Sequence, residues 1–362
     1  MSTNWKEYNS LIINDEYRKG KQLESFCHDK LSSITEEWEK CFYTFILSWL
    51  DDYPHITIRT SGSTGNPKEI TILKEKMIVS AKRTGTFFGF KENQRALLCL
   101  PSNKVGGMMM IVRAFVYKMN LLIVKPSSTP LHTETLPLDF VPMTPMQAQN
   151  IINIKEGSNF LKEINTIILG GSSLHTKLSK QLTSFPNNIY STYGMTETIS
   201  HIALHKIGDT VNCYTLLEGI NISLDDRGCL IIHQDNEKDI ITNDIAEIQK
   251  DGSFVIKGRY DNIINTGGIK LIPEEVEHKI TELLKLDSSI IVFGIDDDLY
   301  GQKLCCLIES ENNNIINQHH INILKEHLIN YEVPKKWFYT NQFKRLANDK
   351  INRFATINKI LE

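Results

Sequence analysis

Three short, almost wholly apolar runs constrain the fold of this chain more than any other feature. They are residues 96–100, 120–124 and 166–169. Strands that are buried on both faces of a parallel sheet have such continuous apolar character. The stretches between them, 108–119 and 144–152, carry their apolar residues at helical spacing. The sequence therefore predicts an α/β fold in which helices cover mixed sheets.

The segment before these runs is predicted to hold a helical lead-in and a pair of strands. Residues 33–36 resemble a capping box, and apolar residues follow at helical spacing, so we expect helices over residues 1–50. β-Branched runs at 56–59 and 70–73 then flank a loop rich in Gly, Ser and Thr. This order predicts strand, loop and strand.

The character of the chain changes after residue 190. Short alternating pieces with Asp-Gly turns predict a β-rich subdomain over 205–257. A helix is predicted to open at Pro273, because proline suits the first helical turn and acidic residues follow it. We therefore place a boundary near residue 260, between a large domain, 1–260, and a small α+β domain, 261–362.

Composition excludes several classes of protein. The 362 residues have a formal net charge of -3 and no block of Lys or Arg, which argues against a nucleic-acid surface. No apolar run approaches the roughly 20 residues of a membrane span, and the N-terminus does not resemble a signal peptide, so we expect a cytoplasmic protein. The seven cysteines are scattered without a C-x-x-C pair, and the histidines do not cluster. Neither a disulfide framework nor a structural metal is expected.

The loop between the first two predicted strands is suited to polyphosphate. Glycines let backbone N–H groups approach phosphate oxygens, hydroxyls donate further hydrogen bonds, and a lysine supplies positive charge. The spacing of a Walker loop is absent. Taken alone, the loop could also be a plain surface turn. It consists of Thr60, Ser61, Gly62, Ser63, Thr64, Gly65, Asn66, Pro67 and Lys68.

This loop resembles the phosphate-binding signature of the adenylate-forming superfamily, which includes acyl-CoA synthetases, peptide-synthetase adenylation domains and luciferases. Two more family motifs follow in the family's order. A Gly-Gly-Ser segment resembles the one that lines the adenine and acyl pocket, and the second motif matches the Tyr-Gly-x-Thr-Glu signature. The resemblance implies a tyrosine against adenine, a threonine near the phosphates and a glutamate on Mg²⁺. The residues concerned are Gly170, Gly171 and Ser172, and then Tyr193, Gly194, Met195, Thr196 and Glu197.

Later motifs of the superfamily can be matched as well. Asp244 corresponds to the aspartate that binds the ribose hydroxyls, although Asn243 stands where glycine is usual. Because Asn tolerates left-handed backbone, we expect the turn to survive. The resemblance also implies that Arg259 meets the ribose and that Asp261 lies at the interdomain hinge. Gly267 and Gly268 resemble the glycine segment that borders the coenzyme A tunnel.

The catalytic lysine of the superfamily is matched less completely. The family pattern is Leu-Pro-x-Thr-x-x-Gly-Lys-x-x-Arg, and residues 346–353 retain only its Lys-x-x-Arg part. We assign the catalytic role to Lys350, with Lys344 and Lys336 as the other candidates and a solvated surface lysine as the alternative.

The resemblance covers residues 50–362 and implies an ATP-dependent acid–CoA ligase. ATP, Mg²⁺, coenzyme A and a carboxylic acid would be its small-molecule partners, and an acyl-AMP would be its intermediate. Family members usually carry more than a hundred residues ahead of the Ser/Thr-Gly loop. The expectation is therefore a truncated N-terminal part, whose missing packing the residues before 50 replace. A homodimer is left open.

Within the superfamily, the chain most resembles short 2-succinylbenzoate–CoA ligases. The frame at residues 100–107 carries Lys104 where a histidine is common. Such a substrate has two carboxylates, so one must be held while the other reacts. Lys104, Arg113 and His201 are the candidate counter-ions, and a surface or core role is open for each.

Three alternatives remain from the sequence. The acid could be another aryl or short acyl acid, or the thiol could belong to a carrier protein instead of coenzyme A. A chain that kept the nucleotide pocket but lost turnover would be a non-catalytic adenylate-binding regulator.

Overall fold

A computed structural model describes residues 4–60, 68–174, 176–209, 212–234, 238–346 and 350–362, except for the side chains of residues 59, 60, 68 and 176. The described residues divide into two compact units, Met1–Glu218 and Gly219–Glu362. The first unit is α/β, and the second is a smaller α+β unit. These are the fold classes predicted for a large and a small domain, although the division lies at a different residue. No described helix is long and apolar enough to cross a membrane.

The first unit alternates strands and helices. In chain order they are β1 (Ser10–Ile13), β2 (Glu16–Lys19), α1 (Lys21–Ser33), α2 (Glu37–Leu50), β3 (His55–Thr60), β4 (Lys68–Leu73), α3 (Lys74–Phe88), β5 (Arg95–Leu98), α4 (Val105–Tyr117), β6 (Asn120–Ile123), β7 (Leu138–Met143), α5 (Pro145–Ile152), α6 (Gly157–Lys162), β8 (Ile164–Leu169), α7 (Thr176–Leu182), β9 (Asn188–Gly194), β10 (His201–Lys206) and β11 (Thr215–Leu216).

Among the described residues, one nine-stranded sheet organises this unit, in the order β11-β10-β9-β8-β7-β5-β6-β1-β2. Strands β9, β8, β7, β5, β6 and β1 run parallel, and the outer pairs are antiparallel. Neighbouring residues of one strand belong to different cores: Leu98 and Ile168 pack with α1–α4, whereas Leu97 and Ile167 pack with α5–α7. Burial on both faces explains the continuous apolar runs.

The lead-in is not wholly helical, which corrects the expectation for residues 1–50. β1 and β2 form a hairpin around Asn14 and Asp15, whose φ angles are +47° and +69°. Asn and Asp tolerate this left-handed region, which suits a two-residue hairpin turn. The capping box expected at 33–36 is also wrong, because α2 begins after Glu36 without a side-chain cap.

Helix α2 attaches the lead-in to the core. Trp49 is fully buried, and its indole N–H donates to the carbonyl oxygen of Tyr8 at 2.9 Å. Its ring stacks on Phe115 of α4 with the centroids 5.7 Å apart. A buried aromatic side chain removes a large apolar area from water, so α2 is part of the core of this unit.

The described residues of the second unit form two sheets. Its elements are β12 (Ile220–Leu224), β13 (Cys229–Gln234), β14 (Ile240–Ile248), β15 (Phe254–Arg259), β16 (Ile264–Thr266), β17 (Ile269–Leu271), α8 (Pro273–Leu284), β18 (Ile290–Asp297), β19 (Gly301–Glu309), α9 (Gln318–His327), β20 (Lys336–Thr340) and α10 (Arg353–Leu361). β12–β15 form an antiparallel sheet in chain order, and β16–β20 form the other. Helices α8 and α9 cover one face of the latter sheet, and α10 covers the opposite face.

The division between the units at 218/219 falls within the predicted β-rich segment, 205–257, whereas the sequence places a boundary near 260. The first part of that segment belongs to the nine-stranded sheet, and the four-stranded sheet begins only at β12. Close packing between β15 and α8 accounts for the difference. A Cβ atom at Gly258 would overlap the Glu274 carboxylate of α8. The four-stranded sheet therefore groups with the C-terminal elements.

Candidate active site

The carboxyl ends of three neighbouring parallel strands bring two predicted motifs together. β7, β8 and β9 are adjacent, and the chain leaves them at Met143, Leu169 and Gly194. Ligands of open parallel sheets bind at this edge. The Gly-Gly-Ser segment follows β8, and the Tyr-Gly-x-Thr-Glu motif spans the end of β9. Parallel pairing thus places side by side two motifs that are separated in the sequence.

The glycines after β8 are required by this close approach. The Gly170 N–H donates to the carbonyl oxygen of Met143 at 3.1 Å, and a Cβ atom at this position would lie 2.7 Å from the Thr192 hydroxyl oxygen. Gly171 has a φ of +91°, which favours glycine. Ser172 follows and is half-buried.

A tight turn after β9 presents Glu197 to solvent. A Cβ atom at Gly194 would overlap the backbone at Ser200, so the turn can close only over a glycine. The Ile199 N–H donates to the carbonyl oxygen of Thr196 at 2.9 Å, and Ile199 itself has a φ of +69°. A β-branched residue in this region is strained, and such strain is concentrated at functional sites. Glu197 is exposed within this turn.

The hydroxyl of Thr198 organises the turn, although sequence reasoning did not single it out. It accepts from the Met195 N–H at 2.9 Å, and it lies 2.9 Å and 2.7 Å from the carbonyl oxygens of Met195 and Ser200, which share its proton. Thr198 is 3% exposed, so water does not replace these bonds. Only its position beside Glu197 could have indicated this role.

Tyr193 lies on β9 against a second tyrosine that the sequence analysis missed. The ring centroids of Tyr193 and Tyr214 are 5.9 Å apart. Tyr214 lies 3.2 Å from the Ser191 hydroxyl, and burial raises the pKa of Tyr214. No local motif marks Tyr214, because its proximity arises from the return of the chain after β10.

Arg113 and His201, two of the candidate counter-ions, share a buried polar cluster. The Arg113 guanidinium donates to the Ser200 hydroxyl at 2.9 Å and to Thr84 at 3.4 Å. His201 Nε2 lies 3.1 Å from the same Thr84 hydroxyl. Burial lowers the pKa of Arg113 to about 10. Burial and then the charge of Arg113 hold the pKa of His201 well below its usual range.

Within this cluster, the described neighbours of Arg113 do not neutralise its positive charge. Arg113 is 2% exposed. Among the described residues, its Nε atom has no hydrogen-bond partner and no carboxylate lies within ion-pair distance of it. An unpaired buried charge costs several kcal/mol. The third candidate, Lys104, is the exposed N-cap residue of α4 and does not join the cluster.

The predicted phosphate loop falls mainly outside the described residues. The prediction for Ser61, Gly62, Ser63, Thr64 and Gly65 lies there, as do the side chains of Thr60 and Lys68. β3 and β4 pair in antiparallel register with Thr60 opposite Lys68. The two predicted strands that flank this segment are therefore confirmed.

In the second unit, Asp244 and Arg259 face each other on β14 and β15. The Arg259 guanidinium donates to Asp244 at 2.8 Å and to Asp261 at 3.2 Å. Asp244 is 9% exposed, whereas the Arg259 side chain is half exposed. Asn243 lies inside β14 and does not have a left-handed backbone conformation. The expectation that it replaces glycine by adopting that conformation in a turn is therefore wrong.

The Lys-x-x-Arg segment combines an exposed lysine with a half-buried arginine that anchors it. Lys350 is exposed, and its carbonyl oxygen accepts from the Leu346 N–H at 2.8 Å. Arg353 donates to both carboxylate oxygens of Glu277, at 2.7 Å and 3.1 Å, and to the carbonyl oxygen of Val292. Arg353 therefore fixes the segment that carries Lys350 to α8 and β18.

Gly267 and Gly268 form the turn between β16 and β17, with φ angles of +56° and +78°. A Cβ atom at Gly267 would overlap the ring of Tyr331. The positive φ angles favour glycine at both positions, and the close approach of Tyr331 excludes a side chain at the first.

Glu197 supplies the one carboxylate of the Tyr-Gly-x-Thr-Glu motif, which the resemblance assigns to Mg²⁺. No described group of three or more His, Cys, Asp or Glu residues could hold a metal ion. This donor set fits Mg²⁺ bound through one carboxylate and the phosphates of a substrate, with waters completing its octahedron.

Comparison with known proteins identifies the family. Residues 51–257, more than half of the chain, match the AMP-binding enzyme family. An acyl-CoA synthetase (AMP-forming)/AMP-acid ligase II-like protein from Dyadobacter fermentans is 30% identical, with 93% of this chain and 98% of that chain covered and a TM-score of 0.63.

Two further relatives carry more specific names. A 2-succinylbenzoate–CoA ligase from Staphylococcus epidermidis is 26% identical over 81% of this chain and 67% of its own length. The O-succinylbenzoate coenzyme A synthetase from Bacillus subtilis, in complex with AMP, is 19% identical, with 82% and 68% of the chains covered and a TM-score of 0.66, which supports the fold. The chain therefore belongs to the AMP-binding enzyme family and is an AMP-forming acid–CoA ligase.

Proposed function

We propose that this chain is a 2-succinylbenzoate–CoA ligase of menaquinone biosynthesis. It would join 2-succinylbenzoate to coenzyme A at the expense of ATP, with AMP and pyrophosphate as the other products. Relatives with that name support the proposal. The observation that carries it within this chain is the buried Arg113 cluster.

The cluster suits an acid with two carboxylates. Since Arg113 is buried without a described carboxylate partner, an anionic group of the substrate would relieve the cost of its charge. A guanidinium binds a carboxylate through two parallel hydrogen bonds, which also orients the ligand. His201, kept neutral by burial, could add a hydrogen bond without a second charge. One carboxylate would thus be held while the other reacts, with Lys104 as a further counter-ion at the start of α4.

In the first half-reaction, a carboxylate oxygen of the acid attacks the α-phosphorus of ATP. The bond to the bridging oxygen breaks, and pyrophosphate leaves with the electron pair. Positioning and charge neutralisation dominate such a reaction. Glu197 would hold Mg²⁺ on the phosphates beside Thr196, the Thr60–Lys68 loop would bind the departing pyrophosphate, and Lys350 would neutralise charge on the α-phosphate and carboxylate.

The second half-reaction converts the acyl-AMP to a thioester. The sulfur of coenzyme A attacks the acyl carbon, its proton is lost, and AMP leaves with the bond's electrons. Asp244 and Arg259 would hold the ribose throughout. A rotation about Asp261 would withdraw Lys350 and present Gly267 and Gly268 to the pantetheine arm.

Pyrophosphate release is the direct test. Wild type would be supplied with 2-succinylbenzoate, benzoate or hexanoate, each with and without coenzyme A. We expect release with 2-succinylbenzoate and thioester formation only when coenzyme A is present. Arg113→Lys should raise the KM for 2-succinylbenzoate at least tenfold, because lysine cannot form the paired hydrogen bonds. Release with the monocarboxylates, which lack the second anion, should change much less.

Each other outcome favours a specific alternative. A preference for a monocarboxylate would indicate another aryl or short acyl acid. Adenylation without transfer to free coenzyme A would indicate a carrier-protein thiol. No release with any acid, combined with AMP binding, would indicate an adenylate-binding regulator.

A further inference from the structure

Asn243 joins two charged groups of the second unit. Its side-chain amide donates to both carboxylate oxygens of Asp261, at 3.0 Å and 3.1 Å. Its amide oxygen accepts from the Arg227 guanidinium at 2.9 Å. The orientation of the amide is determined by these partners, because only its NH₂ group can donate to a carboxylate and only its oxygen can accept from a guanidinium.

Other groups besides Asn243 also hold the Arg227 side chain in place. It donates to one carboxylate oxygen of Asp225 through two nitrogen atoms, at 2.9 Å and 2.7 Å, and to the carbonyl oxygen of Thr242 at 3.1 Å. Its guanidinium lies 5.1 Å from the ring centroid of Tyr260. A guanidinium with several fixed partners is a rigid donor, so Asn243 has a stable neighbour on this side.

On its other side, the network reaches the Asp244–Arg259 pair. Asp261 accepts from Arg259 at 3.2 Å, and Arg259 donates to Asp244 at 2.8 Å. The charges along the network alternate in sign. Arg259 has a long side chain that is half exposed, so each carboxylate that accepts from it reduces the conformational freedom of its planar group. Asn243 orients one of those two carboxylates.

We propose that Asn243 is a positioning residue for the Asp244–Arg259 pair and acts through Asp261. The inference rests on the proposed function, which assigns that pair to the nucleotide ribose. A glycine, the residue usual here in the superfamily, has no side chain and would make none of these three hydrogen bonds. Asn243 therefore adds a restraint on Arg259 that a chain with glycine at this position lacks.

The test compares three variants of the full chain. Asn243→Gly removes the restraint, and Asn243→Asp places a carboxylate against Asp261, so that the two repel. Asn221→Gly is the matched control, because Asn221 is an exposed residue of β12 in the same sheet and makes no hydrogen bond to this network. All variants would be measured for the Kd of ATP by calorimetric titration, and for KM of ATP and kcat in pyrophosphate release.

We expect Asn243→Gly to raise the Kd and KM of ATP about three- to tenfold with little change in kcat, because it removes hydrogen bonds to charged groups at a partly exposed site. Asn243→Asp should raise them further, and Asn221→Gly should leave both at wild-type values. Wild-type ATP affinity in Asn243→Gly, or an equal loss in Asn221→Gly, would overturn the inference. Failure of wild type to activate any acid, with the ATP effects intact, would instead contradict the proposed function.

Discussion

At the scale of single residues, one hydroxyl determines the shape of the turn that carries Glu197. Thr198 is buried and makes three close contacts with backbone groups of Met195 and Ser200. Ile199 is held in the left-handed region beside it. These contacts compensate for backbone strain of about 1–3 kcal/mol. The conformation of Glu197 therefore depends on a neighbour that does not itself contact the predicted metal.

Thr198→Val should disturb this turn, because valine keeps the shape but leaves buried backbone groups without partners. We expect the free energy of unfolding to fall by about 1–3 kcal/mol and the KM for Mg-ATP to rise. Urea unfolding and pyrophosphate release would measure the two effects. Thr198→Ser retains the hydroxyl, so its free energy of unfolding and its KM for Mg-ATP should both be close to those of wild type. Equal behaviour of the valine and serine variants would contradict this role.

The buried His201 predicts a dependence of stability on pH. Burial and Arg113 lower its pKa in the folded state, whereas in the unfolded chain it titrates near 6.5. Below about pH 6.5 the unfolded chain therefore binds a proton that the folded chain does not. The free energy of unfolding should fall with decreasing pH by about 1.4 kcal/mol per pH unit until the folded pKa is reached.

Urea unfolding at several pH values between 5 and 8 would measure this dependence. His201→Gln should reduce the slope of the unfolding free energy against pH by the contribution of about one proton. Part of the slope should remain, because burial also lowers the pKa of His205. Identical slopes in wild type and variant would show that His201 does not stay neutral in the fold.

At the scale of elements, strand ends and a half-buried ion pair place the residues of the candidate site. The adjacency of β8 and β9 brings the Gly-Gly-Ser segment beside the Tyr-Gly-x-Thr-Glu motif. In the second unit, α10 is joined to α8 and β18 through Arg353. The Lys-x-x-Arg segment therefore has a structural part, Arg353, next to its predicted catalytic part, Lys350.

Removing one partner of the Glu277–Arg353 pair should be costly. Arg353→Met leaves the half-buried Glu277 carboxylate without its cation, so the free energy of unfolding should fall by about 1.5–3 kcal/mol. Pyrophosphate release should fall with it, since the Lys350 segment loses its anchor. Urea unfolding is the measurement. Lys257→Met, which breaks a partly exposed pair with Glu247, is the control and should cost less than about 1 kcal/mol.

At the scale of the whole molecule, the two half-reactions should depend on different parts of the chain. Lys350 belongs to the second unit, and the Tyr-Gly-x-Thr-Glu motif belongs to the first. If Lys350 acts only while acyl-AMP forms, its removal should slow the first half-reaction and leave the second unchanged. Lys350→Ala should lower the rate of pyrophosphate release by two or more orders of magnitude. The variant lacks the positive charge that would neutralise the α-phosphate and the carboxylate as they react.

The matched measurement is thioester formation from acyl-AMP supplied directly. This second half-reaction should proceed at a similar rate in Lys350→Ala and in wild type. Lys344→Ala and Lys336→Ala, the other candidate lysines, are the controls and should retain pyrophosphate release. Normal ATP–pyrophosphate exchange in Lys350→Ala would contradict the assignment.

Much of the fold follows from local patterns in the sequence. The apolar runs at 96–100, 120–124 and 166–169 contain β5, β6 and β8. Strands that are buried on both faces of a sheet have apolar residues at successive positions, which made these three strands recognisable. The hairpin at residues 10–19 was missed, because its short strands gain their stability from pairing with β6. Strand formation of this kind depends on partners that are distant in sequence.

By itself, the sequence determined the family and predicted the residues of the nucleotide motifs, because fixed local spacing carries that information. Only the tertiary structure decided which side chains share surroundings. Arg113 comes from α4, Thr84 from α3 and His201 from β10, and their cluster exists because helix packing and strand order bring the three elements together. Asn243 similarly meets Asp261 and Arg227 through the antiparallel pairing around β14. Such contacts are set by long-range packing, and no local pattern encodes them.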